Sequence, residues 1–151
     1  MQPQRETAQV CSNQGDDYSK AKKFPEAIRA YRRALELNPE PELAMLICWN
    51  LALAIWFRDK FLERDDTNTT DAQWESIMAA RALYRYILSL YETHFKGQAE
   101  SRGFAVGKLY QFAKDNLVDT RKYSMARLPD GRLFPRVEPQ SFRLEEWLRK
   151  Q

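Results

Sequence analysis

Between Pro41 and Arg64 the chain carries Leu43, Leu46, Ile47, Trp49, Leu51, Leu53, Ile55, Trp56, Phe57 and Phe61, apolar positions that fall nearly all the way round a helix. A helix of that kind has little face to give to water and must be covered on most sides. The rest of the chain has to supply the cover. Its apolar fraction of 44% and charged fraction of 30% are those of a globular protein, and 151 residues suffice for one core but not for two large ones. Only five glycines and a Leu/Ala/Arg/Glu-rich make-up point to helices as the covering elements.

The flanking segments carry that pattern. From Glu6 to Lys20, Ala8, Cys11, Gly15 and Tyr18 recur at spacings of three or four, one narrow stripe of a helix. Phe24-Pro25-Glu26 opens a second helix, since proline in the first turn gives up an N–H that has no partner there. Ala27, Ile28, Tyr31, Ala34 and Leu35 form its buried face, and Asn38-Pro39 ends it. The polar run Asp65 to Asp71 reads as a loop ending in an N-cap, before a fourth helix from about Ala72 to Phe95. A fifth is expected over about Ala99 to Met125, weakened by Gly103 and Gly107. Leu128-Pro129-Asp130-Gly131-Arg132-Leu133 signals a turn, as a small hairpin or an exposed loop. A last helix, Ser141 to Lys150, places Phe142, Leu144, Trp147 and Leu148 on one stripe suited to capping an open apolar end.

Gly15, Tyr18, Ala27, Tyr31, Ala34 and Pro39 stand in the order and spacing of the tetratricopeptide signature. The small residues let two antiparallel helices approach closely, while Tyr18 and Tyr31 fill the space around them. Residues 8–41 thus resemble one tetratricopeptide repeat, and Cys48, Leu51, Ala52 and Ile55 are similar to the start of a second. The resemblance implies an all-α fold of antiparallel helix-turn-helix repeats, a short α-solenoid, here with a C-terminal capping helix. The expected division is a helical domain over residues 1–126 and an extension over 127–151.

The family grips a peptide or helix of another protein on the first helices of its repeats. Carried over, the groove positions are Gln9, Ser12, Asp16 and Lys20, then Leu46, Trp49, Asn50, Leu53 and Trp56. The ionic clamp that some members use for a terminal carboxylate is matched here only by Asn50, and Asp16 would repel a carboxylate. The aromatic set reads either as an open apolar groove or as the seat of the fifth or the last helix. The resemblance implies a non-enzymatic adaptor, scaffold or assembly and co-chaperone factor. Self-association is a further way for so short an array to bury an open end.

The alternative reading rests on Arg127, Arg132, Arg136, Arg143 and Arg149, a basic C-terminal patch suited to nucleic acid or an acidic surface. Against it, 24 basic and 21 acidic residues leave a net charge of only +3, and Asp130, Glu138, Glu145 and Glu146 dilute the patch. Catalysis finds no motif. His94 has no nucleophile or acid set beside it, and Cys11 and Cys48 have neither metal-ligand nor redox spacing. No cofactor and no metal is expected. The start of the chain lacks an apolar signal segment, and Asn50, Arg58 and Asp59 interrupt the longest apolar run, so the expectation is a cytoplasmic protein without a membrane span.

Overall fold

A computed structural model describes residues 5–61, 69–97 and 104–151. Five helices follow one another, α1 (Ala8–Lys20), α2 (Phe24–Glu36), α3 (Pro41–Asp59), α4 (Asp71–His94) and α5 (Phe104–Asp119), each packed antiparallel on the next. α3 also touches both α1 and α5, so these three make one layer while α2 and α4 make the second. This is the all-helical repeat arrangement expected of the sequence.

The helix starts follow local chemistry. Thr7 caps α1, its hydroxyl accepting the Val10 N–H at 3.1 Å. Pro25 and Pro41 occupy the first turns of α2 and α3. Thr70 and Gln73 close a reciprocal capping box at α4, with bonds of 3.3 and 2.8 Å.

Two helix ends differ from expectation. α3 stops at Asp59 instead of Arg64, because Lys60 turns left-handed at φ 56° and its N–H closes on the Trp56 and Phe57 carbonyls. The remaining residues expected in that helix, 62–64, lie outside those described. α5 ends at Asp119, and a short 3-10 helix (Thr120–Tyr123) follows where α-helix was expected as far as Met125. The Thr120 hydroxyl bonds back to the Asn116 carbonyl at 2.7 Å, and Arg81 Nη1 takes the Leu117 carbonyl at 2.7 Å. Both occupy acceptors that a continuing helix would use. The expected start of this helix, residues 99–103, is outside the described segments.

α3 runs through the centre. Its Met45, Ile47, Cys48, Leu51, Ala52 and Ile55 are fully buried among Ile28 and Tyr31 of α2, Leu83 and Ile87 of α4, and Val106 of α5. Among the described residues α3 is the helix long and apolar enough to cross a membrane, yet eight of its residues are buried within the array. A second cluster, Phe61, Trp74, Ile77, Met78 and Tyr123, closes the end where α3 finishes and α4 begins. Tyr18 is the exception to the expected packing. It is 39% exposed, and the atoms nearest to a side chain built at Gly15 belong to Tyr31.

After the 3-10 helix, β1 (Met125–Arg127) and β2 (Leu133–Pro135) pair antiparallel, Ala126 opposite Phe134, so the turn at Leu128 to Leu133 closes a hairpin added to the helical fold. The Leu128 N–H reaches the Arg132 carbonyl at 2.8 Å and the Arg136 N–H reaches that of Ser124. Alternation of the ladder then turns the backbone of Leu133 and Pro135 outward, and proline has no N–H to offer on that edge. Beyond the hairpin, Arg136 Nη1 binds Asp71 at 2.7 Å and Glu138 Oε1 accepts Arg81 Nε at 2.7 Å, fastening the extension to α4.

The expected C-terminal helix is α6 (Leu144–Arg149). It covers α2 and α4, burying Trp147 and Leu148, with Arg58 stacked 5.5 Å from the Trp147 ring. The Leu148 carbonyl accepts Arg32 Nη1 at 3.3 Å.

Candidate partner-binding face

The layer of α1, α3 and α5 carries every groove position carried over from the resemblance. Along α3, Leu46 is 43% exposed while Trp49, Asn50, Leu53 and Trp56 are half-buried. The two tryptophans are engaged from inside the chain. Trp49 stacks on Phe112 of α5 at 5.4 Å and 29°, and lies 6.1 Å from Tyr84 of α4. Trp56 meets Phe61 at 4.5 Å and the edge of Tyr123 at 5.4 Å. The aromatic groove is thus largely filled, by α5 and the 3-10 helix and not by the last helix.

What remains accessible is a row at spacings of four, three and four: Leu46, Asn50, Leu53 and Phe57. Phe57, 45% exposed and stacked on Phe24 at 5.6 Å, is absent from the positions expected of the sequence, although that same spacing points to it. Phe112 is missed as well, and its stacking partner lies more than sixty residues away, beyond the reach of any local periodicity.

On α1, Gln9 is exposed and donates to Asn13 at 2.9 Å, and Lys20 is exposed at the other end. Ser12 is 2% exposed, so its hydroxyl is not available to a partner. Asp16 is half-buried. Its Oδ1 accepts the Tyr31 hydroxyl at 2.6 Å and the Asn50 amide at 3.5 Å, joining the candidate positions of the two repeats. Burial, and then the bond to Asp16, push the Tyr31 phenol well above the usual tyrosine range, so it remains a donor.

The C-terminal arginines do not form one free patch. Arg132 pairs with Asp130 at 2.6 Å, and Arg136 binds Asp71 and the Thr69 carbonyl. Arg143 donates to the Gln140 and Phe142 carbonyls, and Arg127 to that of Gly131. Arg149 lines a cavity of about 570 Å³ between α2, α4 and α6, together with Arg32, Glu36 and Glu145. That cavity, on the side of the second layer, holds none of the groove positions.

Among the described residues no cluster of three His, Cys, Asp or Glu is placed to hold a metal ion. Burial pushes the Cys48 thiol far up, and burial with the Glu6 carboxylate raises that of Cys11, so neither is an activated nucleophile. His94 is exposed at the end of α4, 6.3 Å from the Phe95 ring.

The tetratricopeptide repeat model matches residues 8–41, which span α1, α2 and the entry to α3. No curated protein and no solved structure matches the chain. A repeat of this kind points in general to protein–protein interaction.

Proposed function

We propose, taking the tetratricopeptide repeat at residues 8–41 as premise, that the chain is a non-enzymatic adaptor or assembly factor. It holds a peptide or helix of another protein on the face of α1 and α3. The observation that carries this is the row Leu46, Asn50, Leu53 and Phe57, in which two large apolar side chains are more than 40% exposed on the helix that runs through the core. Exposed apolar residues in a row on a rigid element are what binding surfaces present. A co-chaperone role and a cytoplasmic setting accord with this reading. Nucleic-acid binding is less favoured, since Arg127, Arg132, Arg136 and Arg143 answer to partners within the chain.

The test is Leu46→Asp. Because Leu46 is largely at the surface, the variant should melt close to wild type while failing to retain the protein that wild type captures from its native source. Equal capture by the two would refute the face.

A further inference from the structure

Asp16 stands where α1 meets α3, and both of its side-chain hydrogen bonds fall on Oδ1. Tyr31, 1% exposed and held protonated, fixes the carboxylate without neutralising it. Among the described residues Oδ2 receives no hydrogen bond, and Lys20, one turn further along α1, makes no ion pair with it. Lys108 of α5 is engaged over the Phe112 ring at 5.4 Å.

Asn50 lies one turn after Leu46 and one turn before Leu53. A fixed negative charge therefore sits beside an apolar row, level with the gap between two leucines. An acidic segment laid along this row would meet Asp16 at a half-buried site, where repulsion is stronger than in water. A segment with a lysine or arginine between apolar residues would satisfy Oδ2 and cover both leucines at once. The Asn50 amide, already donating to Asp16, leaves its own carbonyl oxygen to accept a second N–H of the same cation.

Resting on the reading of this face as partner-binding, we infer that its occupant is a basic amphipathic segment of another protein. The segment places a lysine or arginine against Asp16 and apolar side chains against Leu46 and Leu53.

The test uses a displayed library of random twelve-residue peptides, panned on the whole chain as wild type, Asp16→Asn, Asp16→Lys and Leu46→Asp. Wild type should enrich peptides with a lysine or arginine three or four residues from apolar ones. A synthetic peptide of the enriched sequence should bind Asp16→Asn about tenfold more weakly, the size of a charge-assisted bond lost at a half-buried site. Asp16→Lys should shift enrichment to Asp or Glu. Asn keeps an acceptor for Tyr31, and should it melt early, replacing the peptide lysine by norleucine reads the same contact on the unaltered chain. Enrichment without basic residues, or unchanged affinity in both comparisons, would overturn the inference and leave the face intact. No enrichment over Leu46→Asp would overturn the face itself.

Discussion

A methyl group placed on Gly15 would lie 2.6 Å from Cδ1 of Tyr31, closer than carbon atoms tolerate, so α1 and α2 close only while this position has no side chain. Gly15→Ala should destabilise the fold by about 1–3 kcal/mol even though alanine is the better helix former. Urea unfolding measures this. The double change Gly15→Ala with Tyr31→Leu should cost less than the two single changes added together, because the clash is shared.

Trp49 and Phe112 are expected to behave as packing residues. Trp49→Ala should lower stability by about 2–4 kcal/mol, since it removes the ring that joins α3 to both α4 and α5. A double-mutant cycle with Phe112→Ala should show coupling of about 0.5–1.5 kcal/mol from the stacked rings. Additive losses would mean that the stack contributes nothing beyond burial.

Arg81 ties three parts of the chain together, bonding Glu138, the Leu117 carbonyl and the Thr120 hydroxyl while only 14% of its side chain is exposed. Arg81→Met should cost about 1–3 kcal/mol, because it leaves the Glu138 carboxylate with Arg85 as its remaining guanidinium partner and takes the shorter of two hydrogen bonds from the Leu117 carbonyl. Hydrogen exchange should show the segment from Thr120 to Glu138 opening first. Protection unchanged there would mean that the ribbon is held by its apolar contacts alone.

Stability should fall at alkaline pH. Burial raises the Cys48 thiol above its ordinary 9.0 and the Tyr31 and Tyr84 phenols above their ordinary 10.0, so the folded chain holds these protons where the unfolded chain releases them. The contribution is therefore complete below about pH 9 and is lost as pH rises from there, the unfolded state binding fewer protons. Denaturant midpoints between pH 7 and 11 should decline from about pH 9, and Cys48→Ala should delay the onset. In native protein at pH 8, Cys48 should resist alkylation until the chain unfolds.

The repeat was legible in the sequence because its cause is local. Gly15, Ala27, Tyr31 and Ala34 face one another across a single turn, so their spacing alone specifies how α1 and α2 meet. The filling of the aromatic groove was not legible. Trp49 and Trp56 look the same in sequence whether they face a partner or are met by Phe112 and Tyr123, and nothing local reports contacts so distant. The early end of α5 was hidden for a similar reason, since it depends on Arg81 arriving from another helix. The apolar stripe of α6 says that the helix must be covered, but that α2 and α4 supply the cover is visible only in the fold. The bonds of Asp16 to Tyr31 and Asn50 were hidden as well, since they join α1 to two other helices.

Pro135 has a bearing on how the chain behaves among its own copies. The hairpin leaves Leu133 and Phe134 exposed beside a backbone edge that another hairpin could extend, the geometry from which ordered fibrils grow. With no hydrogen to donate at that register, a docking strand would lose a rung of its ladder at every copy added. A single imino acid thus takes one rung out of any ladder that would start on this edge of the ribbon.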